Sequence, residues 1–405
     1  MPDKNIKSKL DRFGAHLQTG SDPPQLKPAP VRYQTLAKAV GGKLVSDRAG
    51  SYCVINTVYA SGYSHGRFRM NRKRHKVLPR SAFTAQGEDG EVKVKKMVFI
   101  DTETTGLGGA GVVPFLVGCG SVTSRGFEIR QYLLPDYADE AAMLESLVNE
   151  FGSDRTIVSY NGAAFDLPLI RDRMIINRAA TDIEYDYHID LLHSARRIFR
   201  RRLKDCSLTN VEERLFGFKR ADDIPGYLIP SVYFEWLSEE NTDLMMDVVE
   251  HNRLDILSLY FLVRYVAEVH TTEGGVLDEV DDLYSLSRVF GRRKETNLVR
   301  QVFSKIDALD PSGLADDIVL YHAMNFKRLG DYTAAVPMWQ ALSPNESKEG
   351  YWANLELAKY FEHREKDPAR ALSYARTAQK ICPYGGSHQA NLTNRLNRLK
   401  TKLKG

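Results

Sequence analysis

Met97-Val-Phe-Ile-Asp-Thr-Glu-Thr-Thr-Gly-Leu107 joins a short apolar run to two carboxylates and a turn. The apolar residues 98–100 are typical of a buried strand. Because side chains alternate across a strand, Asp101 and Glu103 are expected on the same face. Two carboxylates this close repel each other unless a cation lies between them. The pattern therefore indicates a site for a hard divalent cation, Mg²⁺ or Mn²⁺, with two solvated surface acids as the alternative.

The segments after this strand predict an α/β fold. Two apolar runs predict strands of an antiparallel meander, and a helix, a strand and the start of a second helix follow. They cover residues 115–122, 127–134, 141–151, 156–160 and 161–170. Asn161 is predicted to cap the second helix and Pro168 to lie in its first turn, which places Asp166 where the helix dipole favours a negative charge. This order predicts a ribonuclease-H-like mixed sheet flanked by helices.

A long amphipathic helix is predicted over residues 243–269. His251 and Asp255 lie one turn apart on one face of it. The candidate catalytic residues are therefore Asp101, Glu103, Asp166, His251 and Asp255. The four acids could hold two divalent ions, Mg²⁺ or Mn²⁺, about 3.5–4 Å apart, with one ion activating water and the other stabilising the leaving 3′ oxygen. The histidine could take the proton from the attacking water, although a histidine satisfied within a core helix is the alternative.

These motifs resemble those of the DEDD 3′-to-5′ exonuclease superfamily. The resemblance is carried by Phe99-Ile-Asp-Thr-Glu-Thr-Thr-Gly-Leu107, Tyr160-Asn-Gly-Ala-Ala-Phe-Asp-Leu-Pro168 and His251-Asn-Arg-Leu-Asp255. More narrowly, the chain is similar to the bacterial YprB-like group, also called mitomycin repair factor B. That likeness is carried by Asp190-Leu-Leu-His-Ser-Ala-Arg-Arg197, Cys206-Ser-Leu and Asp223-Ile-Pro-Gly226. The resemblance implies a metal-dependent exonuclease that hydrolyses DNA in repair. The nuclease domain would span roughly residues 40 to 270.

One spacing departs from the family pattern. His251 and Asp255 are separated by three residues, the register of the tyrosine-type members, whereas histidine-type members have four. The resemblance also implies that Leu107 wedges near the 3′-terminal base, with Thr104 and Thr105 nearby. We predict that Asn161 contacts the nucleic acid as well. Two other functions remain open: a scaffold that only holds nucleic acid, and an exoribonuclease. Retention of all four acids favours the enzyme, because a scaffold has no physical need for such a costly cluster.

The first 95 residues are strongly basic. They hold 18 Lys and Arg against 7 Asp and Glu, and no acid occurs from Arg48 through Gly87. The run Arg67–Lys76, with Phe68 inside it, is predicted to grip a phosphate backbone, although a solvated loop is the alternative. Its predicted nucleic-acid contacts are Arg67, Arg69, Arg72, Lys73 and Arg74. The arginines after Leu191 either line a nucleic-acid path or form a solvated helix face.

The last third of the chain predicts helical repeats. Asp331, Ala335 and Trp339 are answered 36 residues later by Asp367, Ala371 and Ala375. This period is close to that of tetratricopeptide repeats, which offer a concave surface to a partner protein, and an ordinary helical bundle is the alternative. The family resemblance implies that this partner is a repair helicase, and the protein itself, as a dimer, is the other candidate.

The composition is that of a globular protein of two or three domains: 43% of the 405 residues are hydrophobic and 27% are charged. We predict a loose leader, a basic β-rich region, the exonuclease domain and the repeats, at residues 1–32, 33–95, 96–270 and 283–405. No apolar run is long enough to span a membrane, and the four scattered cysteines are expected to be free thiols. The expected location is the bacterial cytosol or nucleoid.

Overall fold

The computed structural model describes residues 29–71, 76–106, 111–179, 182–310 and 313–404. The chain divides into two compact units. The first unit holds the described residues up to Phe83, together with Asp89–Ser194 and Cys206–Tyr265. The second holds Thr84–Glu88, Ala195–Asp205 and the described residues from Val266 onward. Both units therefore combine segments that are distant in sequence.

The first unit contains both helices and strands. The helices are α1 (Val31–Ala39), α2 (Glu140–Leu147), α3 (Asp166–Ile176), α4 (Leu191–Leu203), α5 (Leu208–Val211), α6 (Ile229–Glu239) and α7 (Met245–Thr271), of which α4 and α7 continue into the second unit. The strands are β1 (Lys43–Ser46), β2 (Ser51–Tyr59), β3 (Ser64–His65), β4 (Phe68–Arg69), β5 (Val77–Pro79), β6 (Glu91–Lys93), β7 (Met97–Thr104), β8 (Pro114–Val122), β9 (Phe127–Leu133), β10 (Thr156–Ser159) and β11 (Tyr187–Asp190).

Seven of these strands form one mixed sheet in the order β1-β2-β9-β8-β7-β10-β11. The strands from β1 to β7 pair antiparallel with their neighbours in that order, whereas β10 is parallel to both β7 and β11. The predicted ribonuclease-H-like mixed sheet is thus confirmed. Strand β7 lies between an antiparallel and a parallel neighbour, and its first four residues are buried while the acidic end is half-buried.

Two glycines of β8 let helix α7 approach the sheet closely. A Cβ atom on Gly118 would lie 2.1 Å from Cδ1 of Ile256 and 2.3 Å from Oδ1 of Asn252. A Cβ atom on Gly120 would lie 2.6 Å from Cγ2 of Ile256. Real side chains do not tolerate such distances, so both positions need glycine. The close approach brings the middle of α7 next to the acidic end of β7.

The residues before β7 belong to the same sheet rather than to a separate unit. Strand β2 pairs with β9, and β1 pairs with β2, so the predicted boundary at residues 95 and 96 does not coincide with a division between the compact units. Helix α1 begins before the predicted end of the leader at residue 32, and the sequence reasoning missed it. It forms because Tyr33, Leu36 and Ala37 are buried in the core of this unit.

The second unit is helical, as predicted. Beyond its segments of α4 and α7 it contains α8 (Val280–Arg292), α9 (Thr296–Leu309), α10 (Asp316–Arg328), α11 (Tyr332–Leu342), α12 (Lys348–His363), α13 (Pro368–Lys380) and α14 (Ser387–Lys402). Asp331 and Asp367, 36 positions apart, each cap a helix by accepting hydrogen bonds from backbone N–H groups. Ala335 and Ala371, at the same spacing, are both fully buried. The tetratricopeptide-like character remains a prediction.

Two of the arginines in α4 have a structural role that neither predicted alternative included. Arg201 contacts Asp281 at 2.5 Å and Asp317 at 2.6 Å, and Arg202 contacts the buried Asp282 at 2.7 Å. All five residues lie in the second unit. These ion pairs join α4 to α8 and α10. Arg202 also supplies the charged partner that the buried carboxylate of Asp282 requires.

Three of the cysteines are buried free thiols, and Cys382 is partly exposed. Burial raises the pKa of the Cys53 thiol to about 12, so this group is an inert part of the core. No helix in the described part of the chain is long and apolar enough to cross a bilayer.

Candidate metal centre

Three elements bring the predicted catalytic residues to one place. Asp101 and Glu103 lie at the end of β7, and Asp166 is the first residue of α3. His251 and Asp255 lie one turn apart on α7. Asp166 is therefore in the first helical turn, as predicted.

The predicted cap is wrong, because helix α3 starts five residues after Asn161. Asn161 instead adopts a left-handed conformation with φ 69°, and its backbone N–H donates to Oδ1 of Asp190 at 2.8 Å. Asp190 also accepts from the backbone N–H of Leu192 in the first turn of α4. This aspartate therefore holds the loop before α3, and its charge also contributes to the raised pKa of Asp166.

One group of side chains has the geometry of a metal site. Glu103, His251 and Asp255 each offer a ligand atom, and these atoms all lie within 4.8 Å of one another. Asp101 and Asp166 belong to the same electrostatic cluster. Desolvation raises the pKa of Asp101 well above its usual value, and repulsion from Asp255, Glu103 and Asp166 raises it further.

The pKa values of Glu103 and Asp166 are raised as well. Desolvation raises the pKa of Glu103 well above its usual value, and repulsion from Asp255 and Asp166 adds to this. The pKa of Asp166 is raised to about 6, chiefly by desolvation. Carboxylates that repel each other in a desolvated site need a cation to be stable in their ionised form. The oxygen donors and the unbalanced charge therefore fit one or more hard divalent cations.

The acids on β7 and α3 are positioned by neutral donors. The side-chain amide of Asn252 donates to Oδ2 of Asp101 at 2.8 Å and to its backbone oxygen at 3.1 Å. Gln131 in turn donates to Oδ1 of Asn252 at 2.9 Å, and both amides are fully buried. The hydroxyl of Thr102 donates to Oδ1 of Asp166 at 2.6 Å. These contacts fix the carboxylates without neutralising them.

The acid on α7 is positioned by a cation. The guanidinium of Arg220, which is 4% exposed, forms an ion pair with Oδ1 of Asp255. It also contacts the buried Glu212 at 2.6 Å and Asp223 at 3.2 Å. Arg220 therefore holds three carboxylates together beside the cluster and offsets part of their charge.

His251 lies between two carboxylates. Its Nδ1 lies 2.8 Å from Oδ1 of Asp223, and its Nε2 lies 3.8 Å from Oδ2 of Asp255. A carboxylate can only accept, so in the neutral imidazole Nδ1–H donates to Asp223 and Nε2 carries the lone pair. The basic nitrogen therefore faces the acid cluster.

Unlike the acids, the predicted nucleic-acid contacts that the structure describes lie in separate segments of the chain. The Thr104 hydroxyl donates to the backbone oxygen of Gly106 at 2.7 Å, and the Thr105 hydroxyl accepts from the backbone of Val113 at 3.0 Å. Both hydroxyls thus shape the turn after β7. Arg67 and Arg69 lie on the β3–β4 hairpin, with the Arg67 guanidinium 5.4 Å from the centre of the Phe68 ring. Leu107, Arg72, Lys73 and Arg74 lie outside the described residues.

Sequence reasoning missed the residues that hold the cluster in place. They are Gln131, Glu212, Arg220, Asp223 and Asn252. A weak signal existed for three of them. Asn252 directly follows His251, Gln131 interrupts an otherwise apolar face of a predicted strand, and Asp223 begins one of the segments that carry the family likeness. Arg220 had no such signal, since its role depends on contacts between residues 35 positions apart in sequence.

The sheet order and the acid cluster define an α/β domain of the ribonuclease H type, and the sequence profile of the RNase_H superfamily matches residues 98–267. The chain is 32% identical over 336 residues to the uncharacterized protein YprB of Bacillus subtilis (strain 168), an alignment that covers 80% of this chain and 79% of that protein. The chain belongs to the YprB family. The resemblance predicted from its motifs is confirmed.

Proposed function

We propose that this protein is a metal-dependent 3′-to-5′ exonuclease that hydrolyses DNA. The observation that carries the proposal is the convergence of Glu103, His251 and Asp255 within 4.8 Å, in one electrostatic cluster with Asp101 and Asp166. The histidine beside the acids favours hydrolysis over a scaffold role, because simple binding does not require a base.

Four acids would hold the metal: Asp101, Glu103, Asp166 and Asp255. Mg²⁺ and Mn²⁺ fit this oxygen donor set, and two ions are proposed. When bound, such ions supply charge stabilisation at the phosphate and lower the pKa of water. The neutral contacts from Asn252 and Thr102 keep two of the acids oriented for this purpose.

His251 is proposed as the general base. Its Nε2 would take a proton from the attacking water, and the imidazolium formed would be stabilised by Asp223 at Nδ1. The water oxygen bonds to phosphorus and the bond from phosphorus to the leaving 3′ oxygen breaks, which releases a nucleoside 5′-monophosphate. The three-residue separation from Asp255 places both side chains on one face of α7, so this spacing is compatible with the role.

The biological setting rests on the family resemblance. We propose that the helical unit binds a partner protein, such as a repair helicase that delivers a DNA end. The resemblance is also the ground on which DNA, and not RNA, is proposed as the substrate.

The test is a cleavage assay of full-length protein on 5′-labelled single-stranded and duplex DNA and RNA, with Mg²⁺, Mn²⁺ or EDTA. We expect a ladder of DNA products that retain the 5′ label and shorten one nucleotide at a time, only with metal. Asp101→Asn should abolish the ladder. Asp247→Asn, on an exposed residue of α7, is the matched control and should not. Release of labelled mononucleotide as the first product, or digestion of RNA alone, would contradict the proposal.

A further inference from the structure

A basic cavity lies at the other end of β7 from the acid cluster. Its volume is about 470 Å³, and valine side chains separate its four cations, Lys76, Lys93, Lys95 and Arg264. No carboxylate lines it among the described residues. The three lysines are exposed, whereas the Arg264 guanidinium is packed 4.6 Å from the centre of the Tyr260 ring. The cavity is therefore a concave surface of one charge sign.

Local pairing brings these cations together. In the β5–β6 ladder Val77 is paired with Lys93, and the backbone N–H of Val94 donates to the oxygen of Lys76 at 2.9 Å. Lys95 lies in the 3₁₀ turn that leads directly into β7. Backbone pairing thus holds Lys76 beside the segment that carries Lys93 and Lys95.

The chemistry of the lining selects a polyanion. Exposed lysines attract phosphate, and valine offers apolar contact to a sugar. No aromatic, hydroxyl or amide side chain lines the cavity in the described part of the chain, so its lining favours contact with phosphate over the stacking of bases on aromatic rings.

The cavity lies only a few nucleotide lengths from the acid cluster. Met97 lies four residues before Asp101 on β7, which corresponds to about 13 Å of strand. Arg264 lies nine residues after Asp255 on α7, which corresponds to about 14 Å of helix. At a rise of 3.4 Å per nucleotide these distances correspond to about four nucleotides of duplex. In sequence, Lys76 also ends the basic run that begins at Arg67.

We infer that this cavity binds the phosphate backbone of the nucleic-acid substrate several nucleotides away from the bond that is cut. The inference rests on the proposed function for the identity of the substrate. A substrate too short to reach the cavity should not depend on its lysines.

The test compares Lys93→Glu/Lys95→Glu with Lys38→Glu/Lys43→Glu, a matched control on exposed lysines of α1 and β1. For a 20-nucleotide substrate at low salt, we expect the cavity variant to raise KM about tenfold or more with kcat unchanged. The salt slope of binding should fall by about one to two, at 0.7 to 0.9 per lost phosphate contact. Hydrolysis of a dinucleotide should be unchanged. Equal effects in both variants, or an equal loss on the dinucleotide, would overturn the inference.

Binding without catalysis separates this inference from the proposed function. Fluorescence anisotropy of the labelled 20-mer in EDTA needs no hydrolysis, so a loss of affinity confined to the cavity variant supports the cavity even if the wild type proves inactive. The same titration with deoxyadenosine monophosphate tests a small ligand. Binding of the mononucleotide that depends on Lys93 and Lys95, with no effect on the 20-mer, would overturn the polyanion assignment.

Discussion

Two parts of the acid cluster are held by different kinds of partner. Asp101 and Asp166, on β7 and α3, accept hydrogen bonds from the neutral groups of Asn252 and Thr102. Asp255, on α7, is instead paired with a guanidinium. Neutral donors orient a carboxylate without changing its charge, whereas a buried cation offsets it. Asp101 and Asp166 therefore serve as negatively charged metal ligands, whereas α7 supplies both a further ligand, Asp255, and an oriented base, His251.

The largest effect should come from substituting Asp101 or Asp166. Asp101→Ala or Asp166→Ala should each lower the rate of hydrolysis at least ~100-fold, because losing a ligand removes several kcal/mol of charge stabilisation. Single-turnover rates at saturating Mn²⁺ measure this directly. Asp247→Ala, which removes an exposed acid from α7, should retain the wild-type rate. Undiminished activity in Asp101→Ala or Asp166→Ala would show that the substituted residue is not a metal ligand needed for hydrolysis.

Substituting His251 on α7 should have a smaller effect on the rate and should also change its pH dependence. His251→Ala should lower the rate roughly 100-fold with Mn²⁺ affinity largely kept, because a general base typically contributes this much. A base must be unprotonated, so the wild-type rate should fall at acidic pH and the variant should lose that acidic limb. Asp223→Asn should cost about tenfold in the wild type. It should add little in the His251→Ala background, since Asp223 acts through the imidazole.

A pH-rate profile and a double-mutant cycle check this prediction. If the acidic limb survives in His251→Ala, this residue is not the base. Full additivity of the two substitutions would mean that Asp223 acts independently of His251.

The smallest effect concerns stability without metal. The pKa of Asp166 is about 6 in the folded chain, above its ordinary value, so the folded state binds this proton more tightly than the unfolded state does. The metal-free protein should therefore lose stability as pH rises from about 4 through about 6, by at most about 3 kcal/mol from this group. Asp166→Asn should flatten that slope in thermal unfolding scans in EDTA. A slope that is unchanged in the variant would mean that Asp166 is not destabilised in its ionised form.

Local pattern was enough to predict the acids and the central strands. Alternation placed Asp101 and Glu103 at the end of β7, and helical spacing placed His251 beside Asp255, because both depend only on near neighbours in sequence. The cap on α3 was wrong, since Asn161 is held by the distant Asp190.

The remaining contacts depend on tertiary packing. Arg220 meets Asp255 across 35 residues, and Arg201 meets Asp317 across 116. Helix α1 was missed because it has few apolar residues, and these stabilise the helix only when they are buried in the core. Such partners are fixed by the fold and leave no periodic signal in the sequence.

The central claim is that the four acids form a divalent-metal centre, and Mn²⁺ binding tests it most directly. Full-length wild type and Asp101→Asn/Asp166→Asn should be titrated with Mn²⁺, with free Mn²⁺ followed by electron paramagnetic resonance, a readout that does not depend on substrate or activity. We expect saturable binding by the wild type and a large loss of affinity in the double variant, because the substitutions keep the size of both side chains and remove two charges. Equal binding by the two proteins would contradict the central claim.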